Sequence, residues 1–196
     1  MAATDYIAVA ALKASRGITD YGDDGLIAQA ITDASRAIDA ITGRRFYLDA
    51  AATARTYEGS DTATLLADDI GSTTGLVVTD GGVTLALNTD YWLLPENGIG
   101  TSGETVGYHA LRRASGGTWV CNGTRSVSVT ARWGWPTVPT AVVRATSVLA
   151  ADLLAGDRTR FGVLSVGDVV LRARANPQVV DMLATVVRAD TRWGIA

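Results

Sequence analysis

Side chains that commonly carry chemistry are scarce in this chain of 196 residues, which has one histidine, His109, and one cysteine, Cys121. A zinc-type centre needs three or four His, Cys or carboxylate ligands converging on one point, so a His/Cys metal cluster is excluded. A carboxylate-only site needs ordered aspartate spacing. The nearest run, Asp20-Tyr-Gly-Asp23-Asp24-Gly25, has no oxygen ligand at its third position and places Ile31 where a calcium loop needs glutamate. It reads instead as the acidic, capped start of a helix.

Gly98-Ile-Gly100-Thr-Ser-Gly103 matches a dinucleotide fingerprint by letter. That fingerprint works only where a strand feeds a helix whose N-terminus faces the pyrophosphate, and the residues from Glu104 to Leu111 have strand character. A loop between strands is expected, with no cofactor. Ser102, Glu104 and His109 are near in sequence, but Gly-Thr-Ser-Gly is no nucleophile elbow and no base is placed against the serine. His109 is expected in a strand, and Cys121 half-buried beside a turn as a small hydrophobe. No catalytic, cofactor-binding or metal-binding residues are assigned, and enzymatic activity is not expected.

Charge and composition narrow the class further. Basic residues number 17 against 20 acidic ones, a net charge of -3. Gripping nucleic acid through phosphates needs a basic excess, so sequence-independent DNA binding is not expected. One cysteine permits no internal disulfide. Asp5 stands where a signal peptide carries positive charge, Lys13 interrupts the first apolar stretch, and no run nears the roughly 20 apolar residues that span a bilayer, so no membrane partner is expected. Asn122-Gly123-Thr124 matches a glycosylation acceptor but reads as a turn.

The elements that would position these residues fall into helix, strand and helix blocks. A first helix is expected from Thr4 or Asp5 to about Ser15, closed by Gly17. Ile27, Ile31, Ala34, Ile38 and Ile41 then form one helical stripe ended by Gly43. From Arg44 to about Trp135 the chain turns to short alternating segments. Hairpins are predicted around Asp80-Gly81-Gly82 and around Asn122-Gly123-Thr124, with further strands at 55–58, 62–66, 91–94 and 106–111, suggesting a small antiparallel barrel or sandwich. Helix returns with Val142, Val143, Leu149, Leu153 and Leu154; a hairpin is predicted across 161–174, and Asn176-Pro177 opens a last helix. The predicted class is α+β. N- and C-terminal helices pack together as residues 1–47 plus 131–196, and 48–130 form a central antiparallel β barrel or sandwich-like region.

Two ordered sets of residues resemble a known family. Ile18-Thr19-Asp20 with Asp23-Asp24, followed by Ala34-Ser35-Arg36-Ala37-Ile38-Asp39 and Thr42-Gly43-Arg44-Arg45-Phe46-Tyr47, resembles the N-terminal half of the head-to-tail connector proteins of tailed bacteriophages, also called head completion or adaptor proteins. Ala131-Arg132-Trp133-Gly134-Trp135-Pro136-Thr137-Val138-Pro139, then Phe161-Gly162-Val163 and Asn176-Pro177, resembles the C-terminal half of the same family. The resemblance covers roughly residues 4–47 and 131–190. It implies a non-enzymatic virion protein of the head-tail neck, assembled in the host cytoplasm. Such proteins form a homo-oligomeric ring, usually of twelve subunits, under the portal protein. The ring extends the channel through which double-stranded DNA passes without specific binding, as in genome ejection, and docks a downstream stopper or tail protein.

Under that resemblance the candidate portal or neighbour contacts are Arg44, Arg45, Arg188, Arg192, Trp193 and Ile195. Arg44 and Arg45 have a second reading, as cations favoured at a helix C-terminus by its dipole. The segment 188–196 is either a docking tail or a chain end of no consequence. Trp133, Trp135, Pro136 and Pro139 form either a corner between strand and helix or an exposed aromatic platform. An alternative function is a β-rich carbohydrate-binding or other interaction module of a phage particle, for which Tyr91, Trp92 and Trp119 would supply the aromatic surface; strand aromatics more commonly fill a core.

Overall fold

The computed structural model describes residues 5–100, 103–157 and 166–187. Its contacts divide the chain into two compact units, residues 1–46 with 138–196 and residues 47–137. The fold is α+β: helices occupy the first unit and one antiparallel sheet the second.

The helical unit contains α1 (Val9–Arg16), α2 (Asp24–Thr42), α3 (Thr140–Asp157), α4 (Val166–Ala175) and α5 (Pro177–Leu183). Gly17 and Gly43, at φ +67° and +64°, close α1 and α2 in the left-handed conformation that glycine adopts without a Cβ clash. The stripe Ile27, Ile31, Ala34, Ile38 and Ile41 is buried along α2, which packs against α3 and α4. On α3 the residues at Val142, Ala145, Leu149 and Leu153 are buried at spacings of three and four. Asn176 caps α5 as expected, its side-chain oxygen accepting from the Gln178 and Val179 N–H groups at 3.0 and 3.4 Å.

Two helical expectations are corrected. The first helix begins at Val9, because Asp5 is engaged elsewhere: its carboxylate accepts from the Thr32 hydroxyl on α2 at 3.1 Å. The hairpin expected across 161–174 is not formed, since 166–175 is α4, while 161–165 lie outside the described residues. Leu-Arg-Ala-Arg alternates like a strand, but Val169 and Ala173, four apart, both find apolar cover in the helical unit.

The sheet unit contains β1 (Thr53–Tyr57), β2 (Thr64–Asp80), β3 (Val83–Leu85), β4 (Tyr91–Leu94), β5 (Tyr108–Arg113) and β6 (Val127–Trp133). Their order is β1-β6-β2-β5-β4, with β3 folded onto the end of β2. The sheet is not closed into a barrel, because β1 and β4 end the path and do not pair with each other. Gly81 and Gly82, both at positive φ, make the two-residue turn between β2 and β3, with Asp80 facing Val83.

Strand β2 is longer than any sequence pattern suggested, since it joins segments that read as separate strands. Leu65, Ala67 and Asp69 are buried at odd positions, then Ile70 and Val78 at even ones. Register shifts between Leu66 and Ile70, Ile70 and Ser72, and Ser72 and Val77 account for the change of face. The first part of β2 pairs with β5 and the second with β6.

The predicted hairpin around Asn122-Gly123-Thr124 also differs. Residues 118–121 are not a strand, and β6 pairs with β1 and β2 instead. The 118–121 segment lies along residues 59–63: the Trp119 N–H donates to the Thr62 carbonyl at 2.9 Å, and its indole N–H to the Ala63 carbonyl at 3.1 Å. Gly59 permits this approach, since a Cβ there would stand 2.3 Å from the Val120 carbonyl oxygen. Burying the Trp119 ring with both its N–H groups satisfied outweighs continuing a hairpin.

Candidate functional site

The first resembling stretch folds around a polar knot inside the helical unit. Ser35 and Asp39, one turn apart on α2, flank its apolar stripe and face the chain entering from the N-terminus. Tyr6 binds both: its N–H donates to Ser35 Oγ at 3.2 Å, and its hydroxyl donates to Asp39 Oδ1. The Phe46 N–H, just past the end of α2, donates to the Tyr6 hydroxyl at 3.0 Å, and the two rings meet edge to face at 5.8 Å. Arg36 pairs with Asp39 Oδ2 at 3.3 Å and lies over the Tyr6 ring.

Burial is the dominant influence on both ionisable groups of the knot. It pushes Asp39 up to about 6, against the Tyr6 hydrogen bond and the charges of Arg36 and Arg45, which act to lower it. It also holds the Tyr6 phenol well above its ordinary value, helped by the Asp39 charge. The arrangement therefore fixes the N-terminal segment and the exit of α2 to one turn of helix. It offers no nucleophile and no open ligand position.

A second polar contact organises the other end of α2. Asp20, Asp23 and Asp24 were expected to cap the helix, yet Asp23, at the N-cap, makes no side-chain cap bond. Lys13, buried on α1, pairs with Asp24 Oδ1 at 2.5 Å and donates to the Asp20 carbonyl. A buried ammonium left without a counter-charge would be costly, and Asp24, the first residue of α2, supplies that charge. Beside it an open groove of about 650 Å³ runs between the α1–α2 loop and the last turns of α3, lined by Ile18, Asp20, Leu26 and Leu154 among others. Leu26 is exposed there.

Arg44 and Arg45 follow α2 directly and are half-buried; Arg45 adds a favourable charge near Asp39. Arg188, Arg192, Trp193 and Ile195 lie outside the described residues. Pro139 immediately precedes α3, and its carbonyl accepts the Val143 N–H at 3.0 Å.

In the sheet unit the candidate aromatics do not share one surface. Trp133 is fully buried, donates its indole N–H to the Thr53 carbonyl at 2.9 Å, and carries Arg55 over its ring at 4.3 Å. Gly134 at φ +106° ends the strand, and the indole N–H of Trp135 donates to Asp69 Oδ2 at 3.1 Å. Both rings are interior, so they form no exposed platform. Pro136, half-buried, follows outside the strand. Tyr91 and Trp119 are likewise buried, whereas Trp92 points to the outer face of β4 and is 42% exposed; the three do not make one surface.

The remaining chemistry-bearing residues are dispersed. His109 lies in β5 as expected. Cys121 is exposed rather than half-buried, with its thiol 3.5 Å from Glu58 Oε1; holding Trp119 inward puts the next residues outside. Gly98 ends a short 3-10 turn, and a bridge between Ile99 and Thr105 follows, so no helix starts where the dinucleotide fingerprint needs one. Ser102 lies outside the described residues. Among the described residues no three His, Cys, Asp or Glu side chains could hold one metal ion, and no helix is long and apolar enough to cross a membrane.

No protein-family model matches the chain, and no curated protein matches it. Solved structures do show a similar chain path. A chain in the neck of an empty gene transfer agent particle, computed with C6 symmetry, is similar at a TM-score of 0.49 and 17% identity, with 85% of this chain and 88% of that chain covered. A chain in the virion of a native gene transfer agent particle is similar at 0.48 and 15%, covering 85% and 88%. A chain in the neck of a native particle, computed with C12 symmetry, is similar at 0.44 and 14%, covering 88% and 94%.

Tyr6 was not singled out from the sequence, and Ser35 and Phe46 entered only as members of the resembling stretch, without a role. A usable signal was present: Ser35 and Asp39 sit one turn apart beside an otherwise apolar stripe, and polar groups at such positions need partners. The identity of the partner, an aromatic near the N-terminus, follows only from the tertiary path.

Proposed function

We propose that the protein is a non-enzymatic structural component of a phage-type neck, a head-to-tail connector. It forms a homo-oligomeric ring under the portal, extends the DNA channel and docks the next neck or tail protein. The observation that carries this reading is where the resembling stretches go. They are far apart in sequence, yet α2 from the first and α3 from the second pack together in one helical unit. The exit of α2, Thr42 to Phe46, is held by the Tyr6 knot, which makes Arg44 and Arg45 a pre-organised pair for a neighbour's or portal's carboxylates. A net charge of -3 suits a channel through which DNA must slide, because tight phosphate contacts would retard it.

Electron microscopy of the protein mixed with its cognate portal tests the proposal. A ring of added density on the portal is expected, and the absence of such density at saturating concentration would refute it. Arg188, Arg192, Trp193 and Ile195 are the further candidate portal or neighbour contacts. Removing 188–196 is expected to abolish ring attachment while leaving the melting temperature nearly unchanged.

A further inference from the structure

The chain contains two Asn-Gly steps, Asn97-Gly98 and Asn122-Gly123, and local sequence alone makes both candidates for spontaneous deamidation. The reaction needs a deprotonated glycine N to reach the asparagine Cγ, and it builds negative charge on Oδ1 as the new bond forms. Three structural conditions therefore matter: a glycine N–H that is not engaged, room for the backbone to rotate, and donors at Oδ1.

At Asn97 the first two conditions fail. The Gly98 N–H donates to the Pro95 carbonyl at 3.1 Å, and the Gly98 carbonyl accepts from the Val106 N–H at 2.9 Å. Gly98 is buried, with the Tyr108 hydroxyl standing 2.8 Å from where a Cβ would be. At Asn122 all three hold. Residues 120–125 are exposed, and the Gly123 N–H has no hydrogen-bond partner among the described residues. Asn122 Oδ1 already accepts from the Thr124 N–H at 3.1 Å and the Thr124 hydroxyl at 2.6 Å. Two donors aimed at the oxygen that becomes anionic stabilise the tetrahedral intermediate as an oxyanion hole does.

We propose that Asn122 is the deamidation site of this protein, with Thr124 supplying the donors that promote it and Asn97 protected by its fold. The Gly123 N loses its proton and forms a bond to Asn122 Cγ. The Cγ–Nδ2 bond then breaks, and ammonia leaves with the proton. Water opens the resulting cyclic imide, at Cγ to give aspartate or at the backbone carbonyl to give the β-linked isomer. Either product places a carboxylate on the turn ahead of β6, near Arg125, and the second adds a methylene to the backbone there.

Peptide mapping by mass spectrometry, after the intact protein has aged in mildly alkaline buffer, tests this. The exchange of amide for acid is expected at Asn122 well ahead of Asn97, and in urea the two sites are expected to converge. A single hydrogen bond of ordinary net strength corresponds to about fivefold in rate, so Thr124→Val is expected to slow Asn122 by about that factor while Thr124→Ser retains the wild-type rate. Unchanged circular dichroism of both variants shows that the turn change leaves the fold intact. Native Asn97 reacting as fast as Asn122, or Thr124→Val reacting as fast as wild type, overturns the proposal.

Discussion

Replacing Asp39 with asparagine is expected to remove a specific pH dependence from the helical unit. In the folded chain Asp39 is 17% exposed at its side chain, and burial raises it from the ordinary aspartate value of 3.8 to about 6. A raised folded value means the folded state holds the proton more tightly than the unfolded one. The associated stability is thus fully present below 3.8 and is lost as pH rises through about 6. At ~1.4 kcal/mol per pH unit the interval amounts to about 3 kcal/mol. Other carboxylates respond to pH as well, so the informative quantity is the difference between wild type and Asp39→Asn. Asparagine can still accept from the Tyr6 hydroxyl but carries no charge to bury. Urea denaturation followed by far-ultraviolet circular dichroism at pH 4 and pH 7 measures that difference. Because pH 4 already lies just above 3.8, wild type is expected to lose about 2 kcal/mol relative to the variant between the two pH values. A difference that is the same at both, or that shifts in wild type's favour at pH 7, would refute the reasoning. It would mean that Arg36 and the Tyr6 hydroxyl outweigh burial.

Three further outcomes follow from the packing. Trp133→Ala removes a fully buried ring and its bond to the Thr53 carbonyl, and should cost about 3–5 kcal/mol by denaturant titration, whereas Trp92→Ala on the outer face should stay within about 1 kcal/mol. Gly59→Ala would drive a Cβ to 2.3 Å from the Val120 carbonyl and should destabilise the sheet unit by about 1–3 kcal/mol, with quenching of the buried Trp119 fluorescence by acrylamide as a direct readout. Asn176→Ala removes the α5 cap together with the side-chain bond to Asp152 Oδ2 at 2.8 Å and should lower thermal stability by about 1 kcal/mol; Asn176→Ser, which keeps an acceptor for the first N–H groups of α5 and brings no charge toward Asp152, should cost less.

Local periodicity determined the elements that depend on one chain segment alone. The α2 stripe, its Gly43 stop, the Gly81-Gly82 turn, the span of β4 and the Asn176-Pro177 start of α5 were all legible, because each rests on neighbours within a turn or a hairpin. Tertiary structure alone decided what the pattern left ambiguous. Residues 67–75 belong to β2 because partners on either side supply its ladder through three register shifts, which no single-strand alternation encodes. Trp119 turns its segment toward Ala63 because an indole needs both apolar cover and an acceptor, and the acceptor lies 56 residues away. Val166–Ala175 is a helix because α2 and α5 offer it a helix-shaped apolar surface. Asp24 in the first turn of α2 neutralises Lys13, a pairing that depends on where α1 packs and not on the local acidic run. Chemistry at Asn122 and its suppression at Asn97 divide the same way: the dipeptide is written in the sequence, but which N–H is free is settled by the fold around it.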